Sequence, residues 1–503
     1  MEDFPSVPWL IDCEPREVQI EAIARSYYGY KTRDSLKEEK TPVRFRENKP
    51  AKGWSHYLEM RLGKTPTLLN EYSLFERDYG IKRFIVFSPN SYKEDWAREV
   101  PKFGLTVPFM AYETSRYKEA VKFAKESKGV FGIAINYEAL QYSQTQEFLN
   151  DWVDSLTYVG ADESIKIKNP QSITTKMALA LTKEAGVTRN LSGLPMTQGP
   201  QDLYTQFRFV SEQSGVNFYS FRNRFCKMGG FKAKKVVGAK NEEELKKLIQ
   251  KSSFVAKRKD WGKPTNPEFY QVNLELTPKQ KKHYQDIDRD FITMLDSGIE
   301  VTVDQVISKI MKLQQISSGF LYLENGGVEE LEDPIKTPKM KKLMEMLEDE
   351  IPGKVIVPYH YSKSGDALME TLKEYNPAVI RSSQWMKKNE REVGSEKIKF
   401  NKDSSCRVCL LNISAGKYGH DLSGVEGDRC TTMLFYERTY SLDDRTQIEM
   451  RNTAAFQDWT NVYMDFVASK VESDAVKALE KKENVVSAIL GSYNPDKVRL
   501  LHT

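Results

Sequence analysis

Short β-rich runs alternate with segments long enough for a helix, and they do so in two separate stretches of the chain. The first extends from about Gly53 to Phe209 and contains HYLEM, RFIVFSP (Arg83 to Pro89), FGIAINY (Phe131 to Tyr137), LTYVGADE (Leu156 to Glu163) and TRNLSG (Thr188 to Gly193). Each run is apolar and closed by Gly, Pro, Asn or a carboxylate, and the gaps of roughly 15 to 40 residues can hold a crossover helix. The second stretch, about Thr337 to Ala475, repeats the style with KVIVPYH, PAVIRSS, CRVCLLNIS, TTMLFYE and NVYMDFVA. Parallel sheets with helices on both faces accommodate such a pattern. Between the stretches, from about Ser211 to Asp333, the chain is Lys-rich and helical in period. Its run TPKQKKHYQDIDRDFITML opens with Thr277 as N-cap and Pro278 at the first helical position. The expected fold is α/β, with sheet lobes at 1–210 and 335–503 and a mainly helical insertion at 211–334.

Composition narrows the class. At roughly 150 residues per domain, 503 residues suggest about three compact units or two large ones. With 40% hydrophobic and 29% charged residues the chain reads as folded and soluble. No apolar run approaches the roughly 18 residues that span a bilayer, and MEDFPSVPWL lacks the basic and apolar regions of a signal peptide. Five cysteines are too few and too odd for a disulfide scaffold, which points to a reducing compartment.

The sharpest chemical signal is LEMRLGKTPTLL, Leu58 to Leu69, where Gly63-Lys64-Thr65 follows an apolar strand and opens a helix. A strand-to-helix turn of this kind aims backbone N–H groups and the helix N-terminus at a phosphate. Lys64 would then bridge the β- and γ-phosphates, and the Thr65 hydroxyl would hold Mg²⁺. Leu58 stands where the full phosphate-loop pattern has its first Gly. A carboxylate pair at a neighbouring strand end would complete the site. Asp162-Glu163 supplies it, with Asp162 serving the metal and Glu163 the attacking water. An ordinary strand-turn-helix junction and a solvated acidic strand end are the alternative readings of these two segments.

The order of these motifs resembles the Swi/Snf-type translocases of helicase superfamily two. EPREVQIEAI resembles the family's glutamine motif, which puts Gln19 on the adenine edge, and EMRLGKT resembles EMGLGKT. FIVFSPNSYKEDWAREVPKF is similar to a strand-loop-helix ending in W-x-x-E, here Trp96 and Glu99. ADESIKIKNPQS resembles the DE-box followed by Lys168 and Asn169, and LSGLPMTQGPQDLYTQFRFV is similar to the TGTP run, with Ser192, Gly193 and Pro195. VAKRKD, from Val255 to Asp260, resembles the R-R-x-K that follows the insertion. Further on, SAGKYGHDLSGV resembles A-G-x-x-G-x-N-L, and SLDDRTQIEMRNTAAFQ occupies the place of the final motif, with Gln447, Arg451 and Gln457 in register. The resemblance implies two RecA-like lobes that clamp ATP and Mg²⁺. Gln19, Gly63, Lys64, Thr65, Gly419 and Gln447 would contact the nucleotide, Thr65 and Asp162 the metal, and Lys64, Asp162, Glu163 and Arg451 would carry catalysis.

Three departures bear on activity. Arg61 replaces a Gly of the phosphate loop, where Gly permits a positive φ. Ile165 stands where the DE-box often carries His. Ala454 occupies the register of the arginine finger, a group worth about 10³ to 10⁵ in rate; Arg451, Arg445 and Arg438 are the candidates to compensate.

The net charge of +4 conceals a local excess. From Arg222 to Lys263 there are fourteen Lys or Arg against four Asp or Glu, a net of +10. With Phe225, Phe231, Phe254 and Trp261 interleaved, this segment suits sequence-blind contacts to phosphates, or else forms a solvated helix surface. The nucleic-acid contacts expected are Lys166, Lys168, Asn169, Lys234, Lys235, Lys257 and Arg258. Cys406, Cys409, His420 and Cys430 make a zinc-like count, but CRVCLLNIS reads as a buried strand and His420 falls in the Gly-rich loop. The leading expectation is a monomeric ATP hydrolase that translocates on duplex DNA. An ATP-gated clamp disabled by Ala454 and a strand-separating DNA or RNA helicase are the alternatives. A motor without a recognisable reader module suggests a bacterial or phage protein of the cytoplasm, with a nuclease or a replication or recombination protein as its further partner.

Overall fold

The apolar runs fold into two all-parallel sheets in a computed structural model, which describes residues 7–31, 43–44, 49–90, 92–211, 216–229, 235–261, 266–296, 303–323, 325–416, 421–439, 441–454 and 457–473. The chain divides mainly into two compact units, Met1–Pro264 and Thr265–Glu483.

In the first unit the strands are β1 (Gly53–Leu58), β2 (Arg83–Ser88), β3 (Phe109–Ala111), β4 (Phe131–Asn136), β5 (Thr157–Asp162), β6 (Val187–Leu191) and β7 (Ser253–Ala256). Their order across the sheet is β7-β1-β6-β5-β2-β4-β3. Every residue of β2, β5 and β6 is buried, as expected of strands covered on both faces. One apolar cluster gathers Ile85, Phe131, Ile133, Phe148 and Val159, and a second gathers Leu68, Tyr72, Phe84, Val86 and Trp96. The order places β1, β6 and β5 side by side, in a register where Leu191 lies between His56 and Asp162. The loops after these three strands therefore leave from one edge of the sheet.

The second unit holds β8 (Glu268–Asn273), β9 (Val355–Tyr359), β10 (Ala378–Ile380), β11 (Val408–Asn412), β12 (Thr432–Phe435) and β13 (Val462–Val467), in the order β8-β13-β12-β9-β11-β10. The architecture is α/β with two RecA-like parallel-sheet lobes. The helix Pro278–Asp296 begins as its sequence requires. Thr277 Oγ1 accepts from Gln280 N at 3.2 Å, and Gln280 Oε1 accepts from Thr277 N at 3.1 Å.

The segment 211–334 is shared between the two units, not folded as one helical body. Its strand β7 pairs with β1 at one sheet edge, and β8 pairs with β13 at the edge of the other. It also carries two antiparallel hairpins, Cys226–Gly229 with Lys235–Ala239 and Phe320–Tyr322 with Val328–Glu330. A short strand gains its backbone partners from a sheet already formed elsewhere in the sequence, so local composition under-reports it.

Candidate nucleotide site

The phosphate loop leaves β1 and enters the helix Lys64–Tyr79 through two residues in the left-handed region, Arg61 at φ 71° and Gly63 at φ 86°. Gly63 is required twice over, because a Cβ there would lie 2.2 Å from Gln19 Nε2. Arg61 bears the strain that Gly would avoid, about 1–2 kcal/mol. The segment before the loop holds it by its carbonyls: Arg16 Nη1 donates to Arg61 O at 2.6 Å and Gln19 Nε2 to Gly63 O at 3.1 Å. Gln19 Oε1 accepts from Arg16 N at 2.7 Å. The Gln19 amide thus braces the phosphate loop.

Lys64 reaches across the strand ends, its Nζ 3.1 Å from Glu163 Oε1, with both side chains 13% exposed. A Cβ on Gly193 would lie 3.3 Å from the same Nζ, so the loop after β6 closes directly over Lys64. Glu163 is itself left-handed at φ 53°, a strain of the kind that collects at functional strand ends.

Asp162 is 5% exposed and held on three sides. Its Oδ1 accepts from Glu163 N at 3.0 Å, its Oδ2 from the Trp96 indole at 3.2 Å, and its carbonyl from the Tyr137 hydroxyl at 2.7 Å. Burial, reinforced by the adjoining Glu163 carboxylate, pushes its carboxyl up to about 7 against the opposing pull of Lys64. Burial raises the Glu99 carboxyl, and Thr65 is among the groups near enough to act on Glu99 and on Tyr92. Trp96 of the W-x-x-E pair therefore serves the site by orienting Asp162, and Glu99 is half-buried near Thr65. The sequence order placed those two residues without indicating what they touch. Tyr92 and Tyr137 carry no motif signal and come from the fold alone.

A family model for the SNF2-related domain matches residues 47–319, more than half of the chain, and takes in the phosphate loop and the ends of β5 and β6. The chain belongs to the SNF2-related family. Among curated proteins it is 22% identical over 449 residues to the SWI/SNF-related matrix-associated actin-dependent regulator of chromatin subfamily A-like protein 1 of Drosophila melanogaster, covering 88% of this chain and 54% of that one. The Xenopus laevis protein of the same name is 25% identical over 280 residues, 53% of this chain and 26% of that one. This SNF2-related chain thus spans about half the length of the first of these relatives and about a quarter of the second. Its fold also aligns with the Sulfolobus solfataricus SWI2/SNF2 ATPase core in complex with dsDNA, at 18% identity and a TM-score of 0.42 over 98% of this chain and 100% of that one.

In the second unit of the SNF2-related chain, the arginines near Ala454 differ in their commitments. Arg445 is spent on structure: it pairs with Glu449 and Asp465, both at 2.5 Å, and lies 3.5 Å over the Phe435 ring. Arg438 is buried against Asp465 at 3.3 Å. Arg451 Nε donates to Gln447 O at 2.7 Å, and Gln447 Nε2 to Asp443 at 2.9 Å. The Ala454 amide is held by Gln457 at 3.0 Å. Gly419 and His420 lie outside the described residues.

Of the expected nucleic-acid contacts, Lys234 lies outside the described residues, and of Lys235 only its place in the hairpin is described. Arg258 is engaged elsewhere, since its Nε and backbone N both bind Glu59, at 2.9 and 3.0 Å, and tie the segment after β7 to the phosphate loop. Lys168 donates to Thr197 at 2.8 Å, and Asn169 turns back to accept from Gln171 N. Lys166 and Lys257 are half-buried. Phe225 and Phe254 are buried core residues. Among the described residues no cluster of three His, Cys, Asp or Glu is arranged for a metal ion, and Cys406, Cys409 and Cys430 are buried in the second core. Among them also, no helix is long and apolar enough to cross a membrane.

Proposed function

We propose that the chain is a DNA-stimulated ATPase that moves on duplex DNA. The observation that carries this reading is the convergence of Lys64, Glu163 and Gly193 at the ends of β1, β5 and β6. Lys64 would contact the terminal phosphates, the backbone N–H groups at the start of the helix Lys64–Tyr79 would cradle them, and Glu163 would take the proton of the attacking water. The oxygen donors Asp162 and Thr65 suit Mg²⁺, and the buried Asp162 carboxyl is one that a cation would stabilise. When bound there, Mg²⁺ would neutralise charge on the phosphates. Duplex DNA as the track is supported by family membership and by the chromatin regulators among the relatives.

Turnover of ATP by the full chain, measured alone and with duplex DNA, single-stranded DNA and RNA, tests the reading. The expected outcome is stimulation by duplex DNA that Lys64→Ala abolishes. Rates that are equal and at background with every nucleic acid would sink it.

A second reading, an ATP-gated clamp that hardly hydrolyses, is favoured by one observation. Arg445 and Arg438 are committed to Asp465, which leaves Arg451 as the arginine to compensate for Ala454. Ala454→Arg separates the two. A gain in turnover of about 10³ or more supports the clamp, and an unchanged rate supports the motor.

A further inference from the structure

Behind the phosphate loop, in the middle of an apolar core, lies a group of polar side chains with no access to water. Glu71, Arg189, His56 and Ser26 are each 0% exposed, as is Tyr158. The Glu71 carboxylate is the centre. It accepts from Arg189 Nε and Nη2, both at 2.9 Å, from the Tyr158 hydroxyl at 2.9 Å, from Ser26 Oγ at 2.5 Å, and lies 3.1 Å from His56 Nε2. The remaining guanidinium nitrogen of Arg189 donates to Lys52 O at 3.0 Å and Thr188 O at 2.9 Å. Burial alone would drive the Glu71 carboxyl up, but Arg189 and His56 hold it well below the usual carboxylate range.

Core stability alone does not call for such a group, since well-packed apolar side chains of similar volume hold a core as well or better than a buried ion pair. What distinguishes the five residues is where they sit in the chain. Ser26 follows the helix that carries Gln19, and Glu71 lies two turns into the helix that Lys64 opens. His56 is on β1 just before the phosphate loop, Tyr158 on β5 four residues before Asp162, and Arg189 on β6 three residues before Ser192. The turn after the Gln19 helix, β1, β5 and β6 thus each send one side chain to a carboxylate on the loop helix.

We infer that Glu71 and Arg189 are positioning residues for the nucleotide site, a directional buried network that fixes the axial register of β1, β5, β6 and the loop helix so that Lys64, Glu163 and Gly193 meet. Hydrogen bonds impose this register because each needs its own distance and angle, whereas apolar contacts tolerate small slides of a strand or helix. The consequence for catalysis rests on the proposed ATPase reading; the positional claim does not.

The test uses the full chain and the double variant Glu71→Leu/Arg189→Met, which removes both charges together and leaves an apolar core. Thermal unfolding establishes that it is folded. Hydrogen exchange is then compared with the parent, segment by segment. The expected result is exchange about tenfold or more faster in 59–65, 162–164 and 191–194, with the centre of β4 (131–136) unchanged. Exchange in those three segments within about twofold of the parent, or a rise shared equally by β4, overturns the proposal. Should the double variant not fold, Glu71→Gln, which keeps the shape and loses the charge, is measured against the same two outcomes. Binding of a fluorescent ATP analogue to the parent and to Lys64→Ala runs in parallel. Failure of Lys64-dependent binding there counts against the ATPase reading and leaves the exchange result to decide the network.

Discussion

At φ 71° Arg61 occupies a conformation that costs a side chain about 1–2 kcal/mol and costs Gly nothing. Gly at this position raises the entropy of the unfolded chain, by roughly 0.4–1 kcal/mol. Arg61→Gly is therefore expected to be neutral to stabilising by up to about 1 kcal/mol, and Arg61→Val to destabilise, because a β-branched residue resists positive φ. Thermal unfolding of the two variants checks the ordering; Gly falling below Val would contradict it. The sequence made the need for left-handed backbone at this place readable, because the resemblance puts Gly here. The brace on the loop was not readable. Arg16 and Gln19 lie more than forty residues before Arg61 and Gly63, and only tertiary placement brings their side chains to those two carbonyls. The same holds for Trp96 and Asp162, 66 residues apart.

For elements, legibility followed burial. The central strands β2, β4 and β5 in one unit and β9 and β11 in the other are largely apolar runs because both of their faces are covered, and they were readable from that alone. Three of the four edge strands, β3, β7 and β8, were not. Phe109–Ala111 is three residues and half-buried, Ser253–Ala256 is four residues in a Lys-rich stretch, and Glu268–Asn273 is exposed at both ends. The basic segment sharpened in a different way once its elements were placed. Arg258 is paired with Glu59, Arg224 with Glu244 and Lys246 with Glu243, while Lys227, Lys240, Lys247, Lys251 and Lys259 stand exposed. If this face meets DNA, each lost phosphate contact lowers the slope of log K against log salt by about 0.9. Lys227→Gln/Lys259→Gln is expected to flatten the slope by about 2, whereas Arg258→Gln, which frees Glu59, should leave the slope alone and reduce turnover. A duplex-binding titration at several salt concentrations reads the difference, and an unchanged slope in the double variant would remove these lysines from the interface.

Over the whole molecule, each half of the motif series lies in its own compact unit. The first carries the assembled residues Lys64, Thr65, Asp162, Glu163 and Gly193; the second carries Gln447, Arg451 and Ala454. The net charge of +4 is divided unevenly: the first unit sums to +10, with the segment from Arg222 to Lys263 lying inside it, and the second to −6. A chain built this way should couple phosphate chemistry in one unit to a salt-sensitive hold on a polyanion. The most direct test is the steady-state ATP turnover of the full chain with and without duplex DNA, beside Lys64→Ala. Stimulation by the duplex that vanishes in the variant is the predicted result. A rate that neither responds to DNA nor depends on Lys64 would contradict it.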